Sequence, residues 1–258
     1  MNLEALIVRT ERGPMRKLPP GAVLWSNARL HWFFGEPELH EISKLVRPGT
    51  IAVDIGAHFG TYSLTLARLV GKHGRVISIE PIQEDAGMLA RAAKQLRLPI
   101  EVINYALSST NGFADMHIPS LHGHQKTALS SLEPGDSAME TRRVETRRLD
   151  DVLAAVELPV SFIKIDVEGH EIDVLNGGLK TLAIHRPAIL IEVNNDPGHR
   201  SVEQVFDLVM AQGYRGEFLE SGKYRRPLSA FDVSKHQITS SANVLSNEYV
   251  NNFIFMPE

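Results

Sequence analysis

The sequence predicts an α/β fold in which a mostly parallel β-sheet carries helices on both faces. Short apolar runs alternate with segments of helical periodicity along much of the chain. The runs are apolar on successive residues, as in Ile51–Ile55, and this is typical of strands that are buried on both faces. Strands and helices that alternate in this way build a doubly wound sheet with right-handed crossovers.

The individual elements follow from these runs. Strands are predicted at 51–55, 75–79, 100–107, 162–167 and 188–193, and further strands at 215–224 and 252–256. Helices are predicted at 61–70, 84–98, 170–183 and 201–212. Residues 141–148 alternate and lead into a strand or turn before a short helix. Residues 119–136 are rich in Ser, Gly, His and Pro without periodicity, so we interpret them as a long loop on the ligand side.

Length and composition exclude several classes of protein. The 258 residues suit one α/β domain, and a formal charge of −4 gives no basic surface for a nucleic-acid partner. The absence of cysteine excludes disulfides, cysteine-based zinc sites and thiol nucleophiles. No apolar window reaches the ~20 residues that a membrane span needs, and residues 1–20 do not look like a secretory signal. We therefore expect a cytoplasmic protein without a membrane span.

The turn after the first predicted strand carries a ligand-binding signal. Asp54 is followed by Gly56 and Gly60, and glycine permits both positive φ and close approach of a ligand to the backbone. Ligands of open α/β sheets bind beyond the carboxyl ends of the strands. A dinucleotide site requires Gly-x-Gly-x-x-Gly, whose middle glycine is missing here, and Asp54 suits a cationic ligand without phosphate. The alternative interpretation is an ordinary strand-to-helix turn.

The next two predicted strands add polar or small residues at the same edge of the sheet. Glu80 ends the second strand, where a carboxylate can accept hydrogen bonds from both hydroxyls of a ribose. Pro81 stops the strand directly afterwards. Asn104 and Ala106, near the end of the third strand, fall where an adenine ring would bind. Alone, Glu80 would be a surface carboxylate, but beside the glycine turn we interpret it as a ligand residue.

Six segments together resemble the FkbM family of methyltransferases, in both order and spacing. They are Val53–Gly60, Glu80–Pro81, Asn104–Ser108, Leu149–Asp151, Ile163–Glu171 and Ile191–Val193. The Lys-x-Asp-x-Glu-Gly-x-Glu block, which begins at Lys164, is the most specific of them. The resemblance covers roughly residues 37–194, with a looser match at 252–257. One departure is visible, because the family usually has Asn where this chain has His58.

The resemblance implies a class I (Rossmann-like) methyltransferase fold with seven strands in the order 3-2-1-4-5-7-6. It also implies S-adenosylmethionine as cofactor, S-adenosylhomocysteine as product, and oxygen on a natural product or sugar as the methyl acceptor. The residues expected to contact the cofactor are Asp54, Gly56, Ala57, His58, Gly60, Thr61, Tyr62, Glu80, Pro81, Asn104, Ala106 and Asp166. We divide the chain into a lead segment, 1–48, which could form a substrate lid, and a methyltransferase domain, 49–258, with an FkbM-like core at about 54–195.

The block after the fourth predicted strand supplies the candidate catalytic residues. Methyl transfer is an in-line displacement that depends on positioning, and an alcohol nucleophile also benefits from a base. We expect Asp166 or Glu168 in the pocket, with Lys164 paired to one of the acids. A purely structural ion pair is the alternative for Lys164. His170 is a further catalytic candidate, and its alternative is a solvent-facing residue at a helix start.

Residues outside these segments give weaker signals. His122 and His124 could supply a base or two metal ligands, but two loop histidines are usually solvated, and we expect no metal. Ser130 and Ser131 could cap or line the pocket. The arginine pairs at 142–143 and 147–148 suggest a solvated strand face rather than a site for an anionic substrate group.

The sequence therefore predicts an S-adenosylmethionine-dependent methyltransferase that acts on a hydroxyl of a sugar, a glycan or a secondary metabolite. A nitrogen acceptor on a small molecule is an alternative, because the fold does not choose the nucleophile. A nicotinamide-dependent oxidoreductase and a non-catalytic binding protein are the rival classes. The expected partner is a small-molecule or glycan acceptor, and the sequence leaves open whether the chain forms a homo-oligomer.

Overall fold

The computed structural model describes residues 19–26, 37–121, 124–125, 130–133, 139–195, 201–238 and 249–258. Among these residues there is no helix with the length and apolar character needed to cross a membrane. Most of the predicted lead segment lies outside the described residues, and its role as a lid stays a prediction.

The main sheet has eight strands. Their bounds are β1 Ile51–Ile55, β2 Arg75–Ile79, β3 Ile100–Ile103, β8 Val160–Ile165, β9 Ala188–Glu192, β10 Tyr214–Glu220, β11 Tyr224–Pro227 and β12 Asn252–Pro257, in the order β11-β10-β12-β9-β8-β1-β2-β3. Strands β3, β2, β1, β8 and β9 are parallel to one another, whereas β12 runs antiparallel between β9 and β10. The antiparallel strand in this place distinguishes the sheet from a dinucleotide-binding sheet, whose strands follow the order 3-2-1-4-5-6.

Helices pack on both faces of this sheet. In chain order they are α1 at residues 20–26, α2 Glu38–Glu41, α3 Thr61–Val70, α4 Gln83–Leu96, α5 Leu149–Val152, α6 Glu171–Asn176, α7 Leu179–His185, α8 Val202–Met210 and α9 Val233–His236. Short 3₁₀ helices occupy Ile42–Lys44 and Leu228–Ala230. Ser201 and Gln204 form a capping box at the start of α8, which satisfies backbone N–H groups that have no partner within the helix.

A second, four-stranded sheet is inserted between β3 and β8. Its strands are β4 Ala106–Leu107, β5 Gly112–Leu121, β6 His124–Gln125 and β7 Met139–Arg147, in the order β4-β7-β5-β6. The long hairpin of β5 and β7 is antiparallel, and β4 pairs in parallel with β7. This sheet extends from the carboxyl end of β3, on the side of the molecule where ligands of open α/β sheets bind.

The fold class and the strand order predicted for the main sheet are confirmed, but the strand count is wrong. Eight strands replace seven, because the segment predicted as one strand at 215–224 turns back at Ser221 and Gly222 to form β11. The predicted loop at 119–136 is also partly wrong, since Pro119 to Leu121 extend β5 and His124–Gln125 form β6. The strand predicted at 100–107 divides between the two sheets, and the helix predicted at 170–183 divides into α6 and α7.

The core explains why the central strands are apolar on successive residues. Ile51, Val53 and Ile55 of β1 pack in a hydrophobic cluster with α6, α7 and α8 on one face. Ala52 packs in a second cluster with α2 and α3 on the other face. Successive side chains of a strand point to opposite faces, so a strand covered on both sides needs apolar residues at every position.

Candidate active site

The turns after β1 and β8 lie against each other at the carboxyl edge of the sheet. Gly56 has a φ of +77°, and a Cβ built on it would lie 1.8 Å from the carbonyl oxygen of Asp166. The Asp166 N–H also donates to the carbonyl of Ile55 at 3.1 Å. Only glycine fits at position 56, since both the conformation and the contact exclude a side chain.

The same turn leads directly into α3. Gly60 is the N-cap residue with a φ of +81°, and Thr61 and Tyr62 are the first two helical residues. Ala57 and Tyr62 are buried. The backbone of this turn is thereby held by the helix on one side and by β1 on the other.

Asp54 lies beneath the glycine turn. Its carboxylate accepts a hydrogen bond of 2.5 Å from Ser63 Oγ of α3, which is also 2.8 Å from Ser78 Oγ of β2. Burial raises the pKa of Asp54 to about 6, against the opposing effects of the Ser63 hydrogen bond and the charge of Lys164. Only 1% of Asp54 is exposed, and its hydrogen bond with Ser63 fixes α3 against β1.

Glu80 faces the turn from the end of β2. One carboxylate oxygen accepts the backbone N–H of His58 and the other that of Ile82, each at 2.8 Å. Burial raises the pKa of Glu80 to about 8, although both backbone hydrogen bonds act in the opposite direction. Because a carboxylate offers about four lone-pair sites, Glu80 can accept further hydrogen bonds after these two.

His58 has a left-handed backbone conformation, which both His and Asn tolerate. Its φ of +44° lies in the left-handed region, which Asn adopts more readily than most residues. The imidazole Nε2 lies 3.7 Å from Oδ2 of the buried Asp85, and the ring packs on Phe59. The positive φ therefore restricts which residue types fit at position 58.

The residues predicted for the adenine end have different surroundings. The Asn104 side chain donates 2.9 Å hydrogen bonds to the carbonyls of both Glu80 and Pro81, which fixes the chain after β2. Ala106 is buried in a hydrophobic cluster with Ile82 and residues of the second sheet. Of these candidates, Asn104 and Pro81 lie directly beside the Glu80 turn.

Lys164 is a buried cation at the centre of the edge. Its Nζ is 3.3 Å from Asp166 Oδ2, 3.6 Å from Glu192 Oε2 and 5.1 Å from the centre of the Tyr62 ring. The Lys164 side chain is 1% exposed, while the two carboxylates are partly open to solvent. Lys164 therefore compensates two negative charges at the place where β8 and β9 end.

The turn from Asp166 to Glu171 is held in an irregular conformation. Glu168 has a φ of +50° and Gly169 one of +98°, and the Gly169 N–H donates to Glu171 Oε1 at 2.9 Å. Burial raises the pKa of Glu171 to about 7. The Glu168 carbonyl accepts a hydrogen bond from Ser131 Oγ, which ties the turn to the segment 130–133.

His170 lies between two elements of the inserted sheet region. Its Nδ1 is 2.7 Å from Glu133 Oε1, its Nε2 is 3.0 Å from Ser108 Oγ, and Asp173 Oδ2 is 3.9 Å from Nδ1. The His170 side chain is 12% exposed. It is therefore a mostly buried, hydrogen-bonded residue and not a solvent-facing one.

Residues 54–215 match the family described as the methyltransferase FkbM domain, which is more than half of the chain. The chain belongs to the FkbM methyltransferase family. It is 38% identical over 48 residues to the ribosomal RNA large subunit methyltransferase E of Chromobacterium violaceum, a stretch that is 19% of this chain and 23% of that protein.

Solved structures are similar to this FkbM chain at low identity. The methyltransferase FkbM from Methylobacillus flagellatus KT shares 18% identity with a TM-score of 0.49, over 93% of this chain and 59% of that one. A SAM-dependent methyltransferase from Aquifex aeolicus shares 16% identity with a TM-score of 0.44, over 92% of this chain and 97% of that one. The chain thus spans about a quarter of the curated relative and about three fifths of the FkbM structure.

Several weaker candidates of the FkbM chain have defined places. Arg142 pairs with Glu84 and Glu140, Arg147 with Glu145 and Arg148 with Asp150, while Arg143 stacks on Phe113. Ser131 pairs with His117 and contacts the Glu168 turn, and the Ser130 side chain is half-buried. His122 lies outside the described residues, as does the side chain of His124.

Three further residues contact the candidate site, although no sequence pattern predicts a role for them. Glu192 and Ser108 stand in segments that resemble the family, but only the folded chain brings them to Lys164 and His170. Glu133 lies in the segment interpreted as loop, 37 residues before His170. Glu133, His170 and Asp173 place ligand atoms within 4.8 Å of one another. The hydrogen bond between Glu133 and His170, and the one that Ser109 donates to Asp173, account for this arrangement.

Proposed function

We propose that this FkbM chain is an S-adenosylmethionine-dependent methyltransferase that methylates a hydroxyl of a sugar, a glycan or a secondary metabolite. The observation that carries the proposal is Glu80, a buried carboxylate whose two oxygens are fixed by backbone N–H groups beside the glycine turn. A fixed acceptor at the end of the second strand is suited to the two hydroxyls of a ribose.

The residues of the site fit this cofactor. Glu80 has lone pairs left for two hydroxyls, and Gly56 and Gly60, with φ values of +77° and +81°, give the turn beside it a backbone path that other residues rarely adopt. The acidic residues Asp54, Glu80, Asp166 and Glu192 outnumber the one lysine of this edge, Lys164, and acidic surroundings favour a cationic sulfonium over a pyrophosphate. When bound, the cofactor supplies a methyl group that is already activated for displacement.

The residues after β8 would then position the acceptor. Asp166 and Glu168 follow the strand directly, and the Lys164 ammonium fixes the Asp166 carboxylate through an ion pair of 3.3 Å. A fixed carboxylate orients a hydroxyl group, and orientation accounts for much of the rate of an in-line displacement. Lys164, Asp166, Glu168 and His170 are the residues to which we assign the acceptor side.

Calorimetry with S-adenosylhomocysteine tests the cofactor half of the proposal. We expect binding of S-adenosylhomocysteine and none of NADH. We expect Glu80→Ala to weaken binding by about 10-fold or more, because the ribose hydroxyls lose their hydrogen-bond acceptor. Glu101→Ala is the matched control, because Glu101 is an exposed carboxylate on the neighbouring strand. Binding of NADH in place of S-adenosylhomocysteine would refute the proposal.

Transfer of labelled methyl groups tests the acceptor half. The full chain is offered labelled S-adenosylmethionine with a panel of methyl glycosides and a matched panel of amino sugars. We expect the label on a glycoside oxygen. Label on nitrogen alone would assign the chain to the N-methyltransferases, and cofactor binding with no transfer to either panel would contradict the proposed acceptor class.

A further inference from the structure

We propose that His170 is the proton acceptor for the substrate hydroxyl and that Glu133 is the positioning residue that prepares it. The inference rests on the proposed function and assigns one role within it. Its basis is the hydrogen-bonded row of Glu133, His170 and Ser108, with 2.7 Å at Nδ1 and 3.0 Å at Nε2.

The row determines which nitrogen of His170 carries the proton. A carboxylate can only accept hydrogen bonds, so the 2.7 Å contact with Glu133 places the proton on Nδ1. Nε2 then presents a lone pair, and the Ser108 hydroxyl is the donor to it. Ser108 thus offers Nε2 the same kind of group that an alcohol substrate would offer.

The segment 130–133 places Glu133 with backbone contacts. Ser131 exchanges two backbone hydrogen bonds with His117 of β5, its Oγ donates to the Glu168 carbonyl, and the Glu133 N–H donates to the same Oγ at 3.0 Å. The carboxylate and the imidazole therefore belong to two segments that are bonded to each other. A base held in this way keeps one tautomer and one orientation, as general base catalysis requires.

Asp166 and Glu171 are less suited to this step. The carboxylate of Asp166 is compensated by the Lys164 ammonium at 3.3 Å, so its charge is already used in an ion pair. Glu171 is buried and accepts the Gly169 N–H. The lone pair of His170 Nε2, in contrast, meets a hydroxyl.

The proposed step conserves atoms and electrons. The hydroxyl oxygen of the acceptor forms a bond to the methyl carbon, and the carbon–sulfur bond breaks with its electron pair remaining on sulfur. The hydroxyl proton passes to Nε2 of His170, and the Glu133 carboxylate stabilises the imidazolium that results. Release of that proton to solvent returns His170 to its starting state.

Nitrogen-15 spectra of the full chain test the preparation of His170 without any acceptor. In alkaline buffer, where imidazole is neutral, we expect a protonated Nδ1 and an unprotonated Nε2, with the resonances among the 11 histidines assigned by a His170→Asn variant. Glu133→Ala should abolish this preference, whereas Glu145→Gln, which alters a carboxylate of β7, should leave it unchanged. A protonated Nε2 in the unsubstituted chain would overturn the proposal, whatever the acceptor proves to be.

Methyl-transfer kinetics test the catalytic role on the glycoside panel. We expect His170→Gln and Glu133→Gln to lower kcat by about 10²-fold with KM for S-adenosylmethionine changed less than about 3-fold. Glu145→Gln should keep kcat within about 3-fold, since this carboxylate of β7 pairs with Arg147 and lies outside the row. An unchanged kcat in Glu133→Gln would overturn the inference. Failure of the unsubstituted chain to bind S-adenosylhomocysteine would instead refute the proposed function.

Discussion

Two halves of the site hold their carboxylates in opposite ways. In the cofactor half, which comprises the turns after β1 and β2, Asp54 and Glu80 are at most 5% exposed and are held by hydroxyl and backbone donors. In the acceptor half, which comprises residues 166–171 and 130–133, Glu171 is also buried, but the side chains of Asp166 and Glu133 are each 32% exposed and contact a lysine and a histidine. This difference fits the proposal that the first half holds the cofactor in a fixed geometry and that the second half takes part in charge and proton transfer.

Gly56→Ala should cause the largest effect, because it breaks the junction between the two halves. A Cβ there would meet the Asp166 carbonyl at 1.8 Å, in addition to the strain of a φ of +77°. We expect the free energy of unfolding to fall by about 3–5 kcal/mol in urea denaturation. Gly49→Ala is the control, since its φ is +76° with open space around it, and it should cost about 1–2 kcal/mol. Equal decreases in the two variants would show that the contact with Asp166 has no effect.

Asp166→Ala should separate activity from folding in the acceptor half. The side chain is partly exposed, and Lys164 keeps Glu192 at 3.6 Å after its removal. We expect methyl transfer to fall by about 10²-fold or more, with a nearly unchanged thermal unfolding midpoint. Asp207→Ala on the exposed face of α8 serves as the control for removal of a surface carboxylate. Near-normal methylation by Asp166→Ala would show that the Asp166 side chain has no role in methyl transfer.

The pH dependence of stability should come mainly from buried carboxylates of the cofactor half. Burial raises the pKa of Glu80 to about 8 and that of Asp54 to about 6, so the folded chain binds their protons more tightly than the unfolded chain. Their stabilising contribution is therefore complete below their ordinary pKa values and is lost as the pH rises to about 8. Glu171, with a pKa of about 7, acts in the same direction.

Urea denaturation at several pH values measures this effect. We expect the free energy of unfolding to decrease by on the order of 1–3 kcal/mol between about pH 5 and pH 8.5. Glu80→Gln, which cannot ionise, should decrease the slope in the upper part of this range. A stability that rises over the same range, or an identical slope in the variant, would contradict the assignment of Glu80.

His58→Asn should have the smallest effect. Asn is favoured in the left-handed region that position 58 occupies, and the imidazole of His58 approaches the Asp85 carboxylate only to 3.7 Å. We expect a change in unfolding free energy below about 1 kcal/mol and an affinity for S-adenosylhomocysteine within about 3-fold. A collapse of the affinity would show that the imidazole itself holds the cofactor.

The arrangement of the turns after β1 and β2 could be predicted because its signals are local. A strand that ends in Asp54, a glycine turn and a second strand that ends in Glu80 all follow from the sequence order and from the geometry of parallel sheets. The acceptor half depends on contacts between distant segments. Glu133 meets His170 because Ser131 pairs with His117 of β5 and bonds to the Glu168 carbonyl after β8, and no periodicity in the sequence encodes these contacts.

The sequence contains a turn signal for the eighth strand, although the strand itself has no apolar pattern. Ser221-Gly222 is a turn dipeptide, and both residues have positive φ, at 51° and 65°. The turn is difficult to recognise in the sequence because polar residues flank it. β11 is exposed along its whole length and has no apolar face that would indicate a strand. Patterns of burial cannot identify a strand that buries nothing.

That exposed strand determines where the sheet stops growing. Pro227 has no N–H to offer to a further strand, and Arg225 and Arg226 are occupied in ion pairs with Glu41, Glu217 and Glu220. Charges and a proline on an edge strand hinder the addition of another chain, which is the first step of edge-to-edge aggregation. β11 thus protects the long sheet from self-association at the end farthest from the cofactor half.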